Sequence, residues 1–248
     1  MRVAVISDMH GNAIAFDAVL EDMRGRGIDQ VVCLGDALQG GPQPAEVASR
    51  LRDLGCPVVI GNADQLVLAG EVDDGEELSD LQRAVREWSA AQIGDEGLAL
   101  IGQFQPTVTI GLSGGRQLLC FHGSPASYGE IILPETSEDD VQQMLGQHLP
   151  AIMTGGHTHL QQLRRVGDSV FFNPGSIGLA FSYQQANDPP LADPWAEYAI
   201  LTSDDTGAYA IEFRRLPYDV DAFVAVIRSS GMPYAEVLEH RYSRRSEA

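Results

Sequence analysis

Side chains able to hold a metal recur at one kind of place in this chain, directly after an apolar run. Asp8 and His10 follow Val3-Ala4-Val5-Ile6, Asp36 follows Val31-Val32-Cys33-Leu34 through Gly35, and Asn62 follows Val58-Val59-Ile60 through Gly61. His122 ends Leu118-Leu119-Cys120-Phe121, and His157 with His159 come after Ile152-Met153-Thr154 and the pair Gly155-Gly156. Four of the six histidines are placed this way. Imidazole and carboxylate together suit divalent first-row metals such as Mn, Fe, Ni or Zn. Seven donors are too many for one ion that must keep an open position. Two ions sharing one carboxylate would use them all and leave each room for water or a substrate. The neighbouring glycines allow the tight turns and close backbone approach that such crowding needs.

Donors can converge only if the intervening elements return the chain to one edge. Through the first sixty residues, β-branched runs alternate with helical periodicity: strand over 2–7, helix over 12–24, strand over 30–34, helix over 44–54 and strand over 57–60. This βαβαβ order predicts a parallel sheet with right-handed crossovers, whose carboxyl ends are the usual place for ligands. The stretch 71–104 breaks the alternation, with an acidic run before a helical segment near 78–93, and reads as an inserted helical cap. From Thr107 the pattern turns to hairpins: strands over 107–112 and 117–121 about Ser113-Gly114-Gly115, then 161–165 and 169–172 about Val166-Gly167-Asp168. A helix over 137–147, a strand pair over 197–203 and 208–215, and helices near 219–229 and 233–241 complete the reading. The polar segment 182–194 is expected to form a flap loop. One domain spanning 1–248 follows, a two-sheet α/β body with helices outside.

Sixteen Lys plus Arg against 35 Asp plus Glu give a formal charge of −19, a field that repels nucleic-acid backbone. A small phosphorylated partner is compatible with that field if bound cations reverse it locally. No apolar run reaches the roughly 20 residues a bilayer span requires, so no membrane partner is expected. The opening strand lacks the succession of a secretory signal, and Cys33, Cys56 and Cys120 read as buried thiols, so a cytoplasmic location is expected. Oligomeric state has no signal in the sequence.

Taken in order, Asp8-Met9-His10-Gly11-Asn12, Gly35-Asp36, Gly61-Asn62-Ala63-Asp64, His122-Gly123 and Gly156-His157-Thr158-His159 resemble the signature of calcineurin-like metallophosphoesterases, with Asn173-Pro174-Gly175-Ser176 as a later piece. Gly40-Gly41-Pro42 after Asp36 is similar to the small bacterial and archaeal phosphodiesterase-like branch. No Arg stands between Asp36 and Arg50, where the protein Ser/Thr phosphatases carry one for phosphate. The resemblance implies a four-layer αββα sandwich of two mixed sheets. It also implies a dinuclear phosphoesterase acting on a small phosphodiester or phosphomonoester by attack of a metal-bridging hydroxide. One ion would take Asp8, His10, Asp36 and His159, and the other Asp36, Asn62, His122 and His157. Asn62, His122 and Asp64 are the candidate catalytic residues, and Asn12 and Asn62 the candidate substrate contacts. Asn12 and Asp64 are also expected to orient the ligands through hydrogen bonds.

One position departs from the pattern. Many members carry a His between Gly-Asn and the acid, where it protonates the leaving oxygen; here Ala63 stands. A methyl group donates no proton, so esters with acidic leaving groups are the expected substrates. The rival function is a non-catalytic protein-interaction scaffold on the same fold. Retired sites lose ligands first, and all seven are present here. Local readings compete at single residues: Asp8 or Asn62 as a helix cap, Asp64 as a first-turn acid favoured by the helix dipole. His148, His240 and the Arg241 to Arg245 tail read as surface features, and Trp88 and Trp195 as core or, since each lies in a segment expected to overhang the site, as substrate contacts.

Overall fold

The computed structural model describes residues 1–70, 77–146, 149–182 and 190–242. Strand β1 (Arg2–Ile6) explains the layering. Its side chains alternate, and both faces are apolar. Val3 and Val5 enter a core shared with Val108, Ile110, Leu118, Ile152 and Phe172, while Ala4 and Ile6 enter a second core with Phe16, Val19, Val47, Leu51 and Phe223. The first core lies between two sheets, the second between a sheet and helices. A third core, with Phe121, Met153, Phe171, Val141 and Leu145, lies under a helix on the far side of the second sheet. The result is the four-layer αββα sandwich.

The first sheet has the order β2-β1-β8-β9, with β2 Gln30–Cys33, β8 Trp195–Ser203 and β9 Tyr209–Pro217. The second has the order β3-β4-β5-β7-β6, with β3 Val108–Gly111, β4 Gln117–Cys120, β5 Ile152–Thr154, β6 Gln162–Val166 and β7 Ser169–Asn173. Both are mixed: β1 pairs parallel with β2 and antiparallel with β8, and β4, β5 and β7 run parallel between antiparallel edges.

Helix α1 (Ala13–Arg24) begins at Asn12, whose side chain accepts from Ala15 N. Helix α2 (Pro44–Leu54) opens on Pro44 and ends on Gly55 in the left-handed conformation, the usual asymmetry of helix ends. Helix α3 is Asn62–Ala69. Helix α4 (Asp80–Ile101) carries a Ser79/Gln82 capping box and is broken at Gly94, where φ 59 and ψ −169 interrupt the helical path. It packs against α2 and α3. Helices α5 (Glu138–Leu145), α6 (Val220–Ser229) and α7 (Ala235–Arg241) follow.

The expected third strand, 57–60, is a correction. It makes only two isolated parallel bridges, Cys33↔Val58 and Val59↔Gln105. Pro57 has no N–H for the ladder, and the chain leaves the sheet at Gly61 to begin α3. Most of the acidic run (71–76), the centre of the expected flap (183–189), His148 and the end of the basic tail lie outside the described residues. No helix among the described residues is long and apolar enough to cross a membrane.

Candidate metal centre

The loops after β1 and β2 continue the pairing of their strands. Asp8 N, His10 N and Gly11 N donate to the carbonyls of Gly35, Asp36 and Ala37 at 3.0 Å each. This ladder sets the Asp8-His10 loop beside Asp36. Gly61 must then pass close to Asp36: a Cβ there would lie 2.1 Å from Asp36 Oδ1. Ala63 N donates to the same oxygen at 2.8 Å, so the start of α3 grips the carboxylate that β2 delivers.

The backbone is bent to its purpose. Asp8, His10, Asp36, His157 and His159 all adopt positive φ, between 44 and 69 degrees. Among the described non-glycine residues only Tyr234 joins them. Such conformations cost on the order of 1 kcal/mol or more each, and surrounding structure must impose them.

That imposition is visible in hydrogen bonds. Ser7 Oγ donates to Asp8 Oδ2 at 2.5 Å and His157 N donates to it at 3.2 Å, which turns Oδ1 inward. Ser176 Oγ donates to Asp8 O at 2.8 Å. Asn173 Nδ2 donates to Gly156 O at 2.6 Å and Thr158 Oγ1 at 3.1 Å, fixing the loop that carries both histidines. The Asn-Pro-Gly-Ser segment thus holds the ligand loops, a role its sequence did not disclose.

Three imidazoles have one nitrogen on a backbone carbonyl. His10 Nδ1 lies 2.9 Å from Gln39 O, His122 Nδ1 2.8 Å from Leu34 O, and His159 Nδ1 2.7 Å from Leu179 O. A carbonyl only accepts, so each Nδ1 carries the hydrogen and each Nε2 presents a lone pair in the neutral ring. These lone pairs converge. His10 Nε2 and His159 Nε2 are 3.0 Å apart, and His122 Nε2 is 3.0 Å from Asn62 Oδ1. Asp8 Oδ1, buried and without a hydrogen-bond partner, is 3.3 Å from His159 Nε2 and 3.8 Å from His10 Nε2. Acceptors facing acceptors repel, and cations between them would turn the repulsion into coordination. The donor set therefore fits metal ions, in two groups, Asp8-His10-His159 and Asp36-His122-His157. Asp36 Oδ2 lies between the groups, 3.4 Å from His122 Nε2 and 3.8 Å from His10 Nε2.

The electrostatics favour that fit at His10, His157, Asp8 and Asp36, whereas the Asp36 carboxylate holds on His122 a proton that a cation would have to displace. Burial lowers the pKa of His10 and of His157, each helped by a neighbouring imidazole, which favours the neutral form a metal needs. Burial alone would raise Asp8 and Asp36, but His159 beside Asp8 and His122 beside Asp36 outweigh it and keep both ionised. For His122 burial works downward, yet the Asp36 carboxylate prevails and raises it to about 9.

Two candidates sit differently from expectation. Asn12 is fully buried; its oxygen caps α1, and Nδ2 donates to Gly178 O at 3.3 Å and Tyr218 Oη at 3.4 Å. It is occupied by the fold and has no group left for a substrate. Asp64 accepts from Ala37 N at 3.1 Å and Gly61 N at 3.3 Å, so it ties the Asp36 loop to α3 and does not face the donors. Its burial and the nearby Asp36 carboxylate push its pKa up to about 7.

Two cavities flank the donors. One, of about 250 Å³, is lined by His10, Gln39 and residues of α4 and α7; the other, of about 500 Å³, by Asn62, Ala63, Gln39, Gln82, Tyr128 and Glu130.

The family model for the calcineurin-like phosphoesterase superfamily domain matches residues 1–191, and the chain belongs to that superfamily of metal-dependent hydrolases of phosphate esters. It is 27% identical over 246 residues to the uncharacterized protein MJ0912 of Methanocaldococcus jannaschii, covering 93% of each chain. It is 27% identical to the phosphodiesterase YfcE of Escherichia coli, over 85% of this chain and 92% of that one. A metallophosphoesterase structure from Sphaerobacter thermophilus superposes with TM-score 0.71 at 25% identity, covering 96% of this chain and 97% of that one. A hypothetical protein from Pyrococcus horikoshii has the same fold, with TM-score 0.80 at 21% identity and 97% of each chain covered.

Proposed function

We propose that the protein hydrolyses a small phosphodiester or phosphomonoester with two divalent transition-metal ions, drawn from Mn, Fe, Ni and Zn. Asp8, His10 and His159 would hold one ion, Asn62, His122 and His157 the other, and Asp36 both. When bound, such ions supply an activated water and neutralise charge on the phosphoryl group. The observation that carries the reading is the face-to-face approach of His10 Nε2 and His159 Nε2 at 3.0 Å, with Asp8 Oδ1 buried beside them and lacking a hydrogen-bond partner.

The chain's own groups do the rest. Carbonyls of Gln39, Leu34 and Leu179 hold three imidazoles in the ligating tautomer. Asn62 turns its oxygen toward His122, which leaves its amide nitrogen as a donor to a phosphoryl oxygen. Asp64 acts by positioning Asp36. Ala63 lines the larger cavity and brings no proton for the departing oxygen. A cytoplasmic setting belongs to the same reading, with Cys33 and Cys120 free and buried.

The test is hydrolysis of an aryl phosphodiester with Mn²⁺ or Ni²⁺, with metal content measured alongside. Asp36→Asn should lose more than the about 10- to 100-fold that removal of an outer hydrogen-bond partner costs. Equal inactivity of both proteins across metals, with a protein partner co-purifying, would favour the scaffold.

A further inference from the structure

The family model ends at residue 191, yet the chain beyond it returns to the donors. Helix α7 and the residues before it supply Met232, Tyr234, Val237, Leu238 and Arg241 to the cavity of about 250 Å³ that His10 lines. The opposite wall is the first half of α4, with Leu81, Gln82 and Val85. The lining is mostly aliphatic, with the metal-group histidine among its residues and one guanidinium.

Arg241 is tied to the centre by stacking. Its guanidinium lies 5.8 Å from the Phe181 ring centroid, and that ring stacks on His159 with centroids 5.2 Å apart and 19 degrees between planes. Arg241 Nη1 donates to Pro190 O at 3.2 Å. Among the described residues lining the two flanking cavities, it is the one with a permanent positive charge. In a chain of formal charge −19 that placement is where an electron-rich substituent would be drawn. Tyr234, the one described left-handed non-glycine residue outside the donor set, lines the same cavity.

The larger cavity shares Gln39 and Gln82 with this one and opens on Asn62 and Ala63. Each recess thus adjoins one donor, His10 or Asn62, and the two meet at Gln39 and Gln82, which gives a phosphate carrying two organic groups a place for each. We infer that the α4–α7 cavity is a binding site for the retained organic group of a phosphodiester, a planar and largely apolar ring bearing a hydrogen-bond acceptor that Arg241 engages. This rests on the phosphoesterase reading and adds to it the kind of ester chosen. Arg241 is a specificity residue here, not a catalytic one.

The experiment keeps the leaving group constant. The full-length Mn²⁺-loaded protein is given methyl, phenyl and 4-nitrophenyl esters of 4-nitrophenyl phosphate. KM should fall about tenfold from methyl to 4-nitrophenyl, the effect of roughly 1.4 kcal/mol of added binding. Val237→Trp, at a position 37% exposed and so tolerant of change, should fill the cavity and bring the three KM values together. Arg241→Gln should remove the step from phenyl to 4-nitrophenyl and leave the step from methyl to phenyl. Titration of the same proteins with phenylphosphonate and methylphosphonate gives the matching preference without turnover. Hydrolysis of all three esters with flat KM values, or variants that change all three equally, overturns the inference and leaves the phosphoesterase reading standing. No hydrolysis and no phosphonate binding with any of the four metals overturns both.

Discussion

The donors and the cavities beside them are built by different means. Each donor is fixed by backbone: strand ends, left-handed φ angles, and carbonyls or amides bonded to the ligating group. The flanking cavities are lined largely by side chains of α3, α4 and α7 and by the segment around Tyr128. Backbone-fixed groups keep their geometry when the surface changes, whereas side-chain walls can be recut without disturbing them. On the proposed reading, the contrast would let one fold serve many esters: the part that would hold the ions is rigid, and the part that would choose the ester is replaceable.

The sharpest way to break this contrast is to strain the backbone under a donor. Gly61→Ala would put a Cβ 2.1 Å from Asp36 Oδ1 and 2.5 Å from Asp36 N. Displacement of the shared carboxylate should lower hydrolysis about 100-fold or more, with a parallel loss of bound metal in elemental analysis.

Ala63 tests the cavity side. Rates over aryl esters of graded leaving-group pKa should fall steeply as the leaving group becomes more basic, and a flat dependence would contradict the missing acid. Ala63→His should raise the rate on the most basic leaving groups, up to the roughly 10²-fold of a modest general acid, and barely change 4-nitrophenyl esters. Asp64→Asn loosens the Asp36 loop without touching a donor. It should weaken metal affinity about tenfold, the low end for an outer partner, as read by competition with a chelator.

The smallest effect lies away from both regions. Glu197 on β8 is 1% exposed and bonded to Arg215 Nε at 2.5 Å; burial pushes its pKa from 4.5 up to about 7. A raised native pKa means that its contribution is complete below about pH 4.5 and lost as pH rises through 7. Glu197→Gln stays neutral, so its Tm should gain on the wild type across that interval. Parallel Tm curves would remove Glu197 as a titrating core group.

How much the sequence disclosed follows the same division. The runs around Val3, Val31, Leu118 and Ile152 were legible as strands because both sheet faces are buried and the residues are continuously apolar. The limits of α2 were legible from Pro44 and Gly55, which act locally. The donors were legible because His and Asp after apolar runs are chemically conspicuous, and the structure gathers all seven. Asn12 was harder to read: an Asn at a helix start serves the fold as readily as a substrate, and in the structure its side chain meets Ala15, Gly178 and Tyr218. The segment 57–60 has strand composition but meets only fragments of a partner. Arg241, read from the sequence as part of a surface tail, ends α7 and lines a cavity with His10, since nothing near it in the chain announces Phe181 or His10.

The donors are drawn from positions 8 to 159, on loops of both sheets, so no short peptide of this protein carries the set. An ion that recognises them all recognises only the assembled sandwich, and unfolding would have to release it. At a hundred times its dissociation constant, such an ion would add about 2.7 kcal/mol to the free energy of unfolding. Stripped of metal the sandwich should melt earlier and yield sooner to proteases, so that the supply of a trace nutrient would govern how long each copy survives as well as how fast it works.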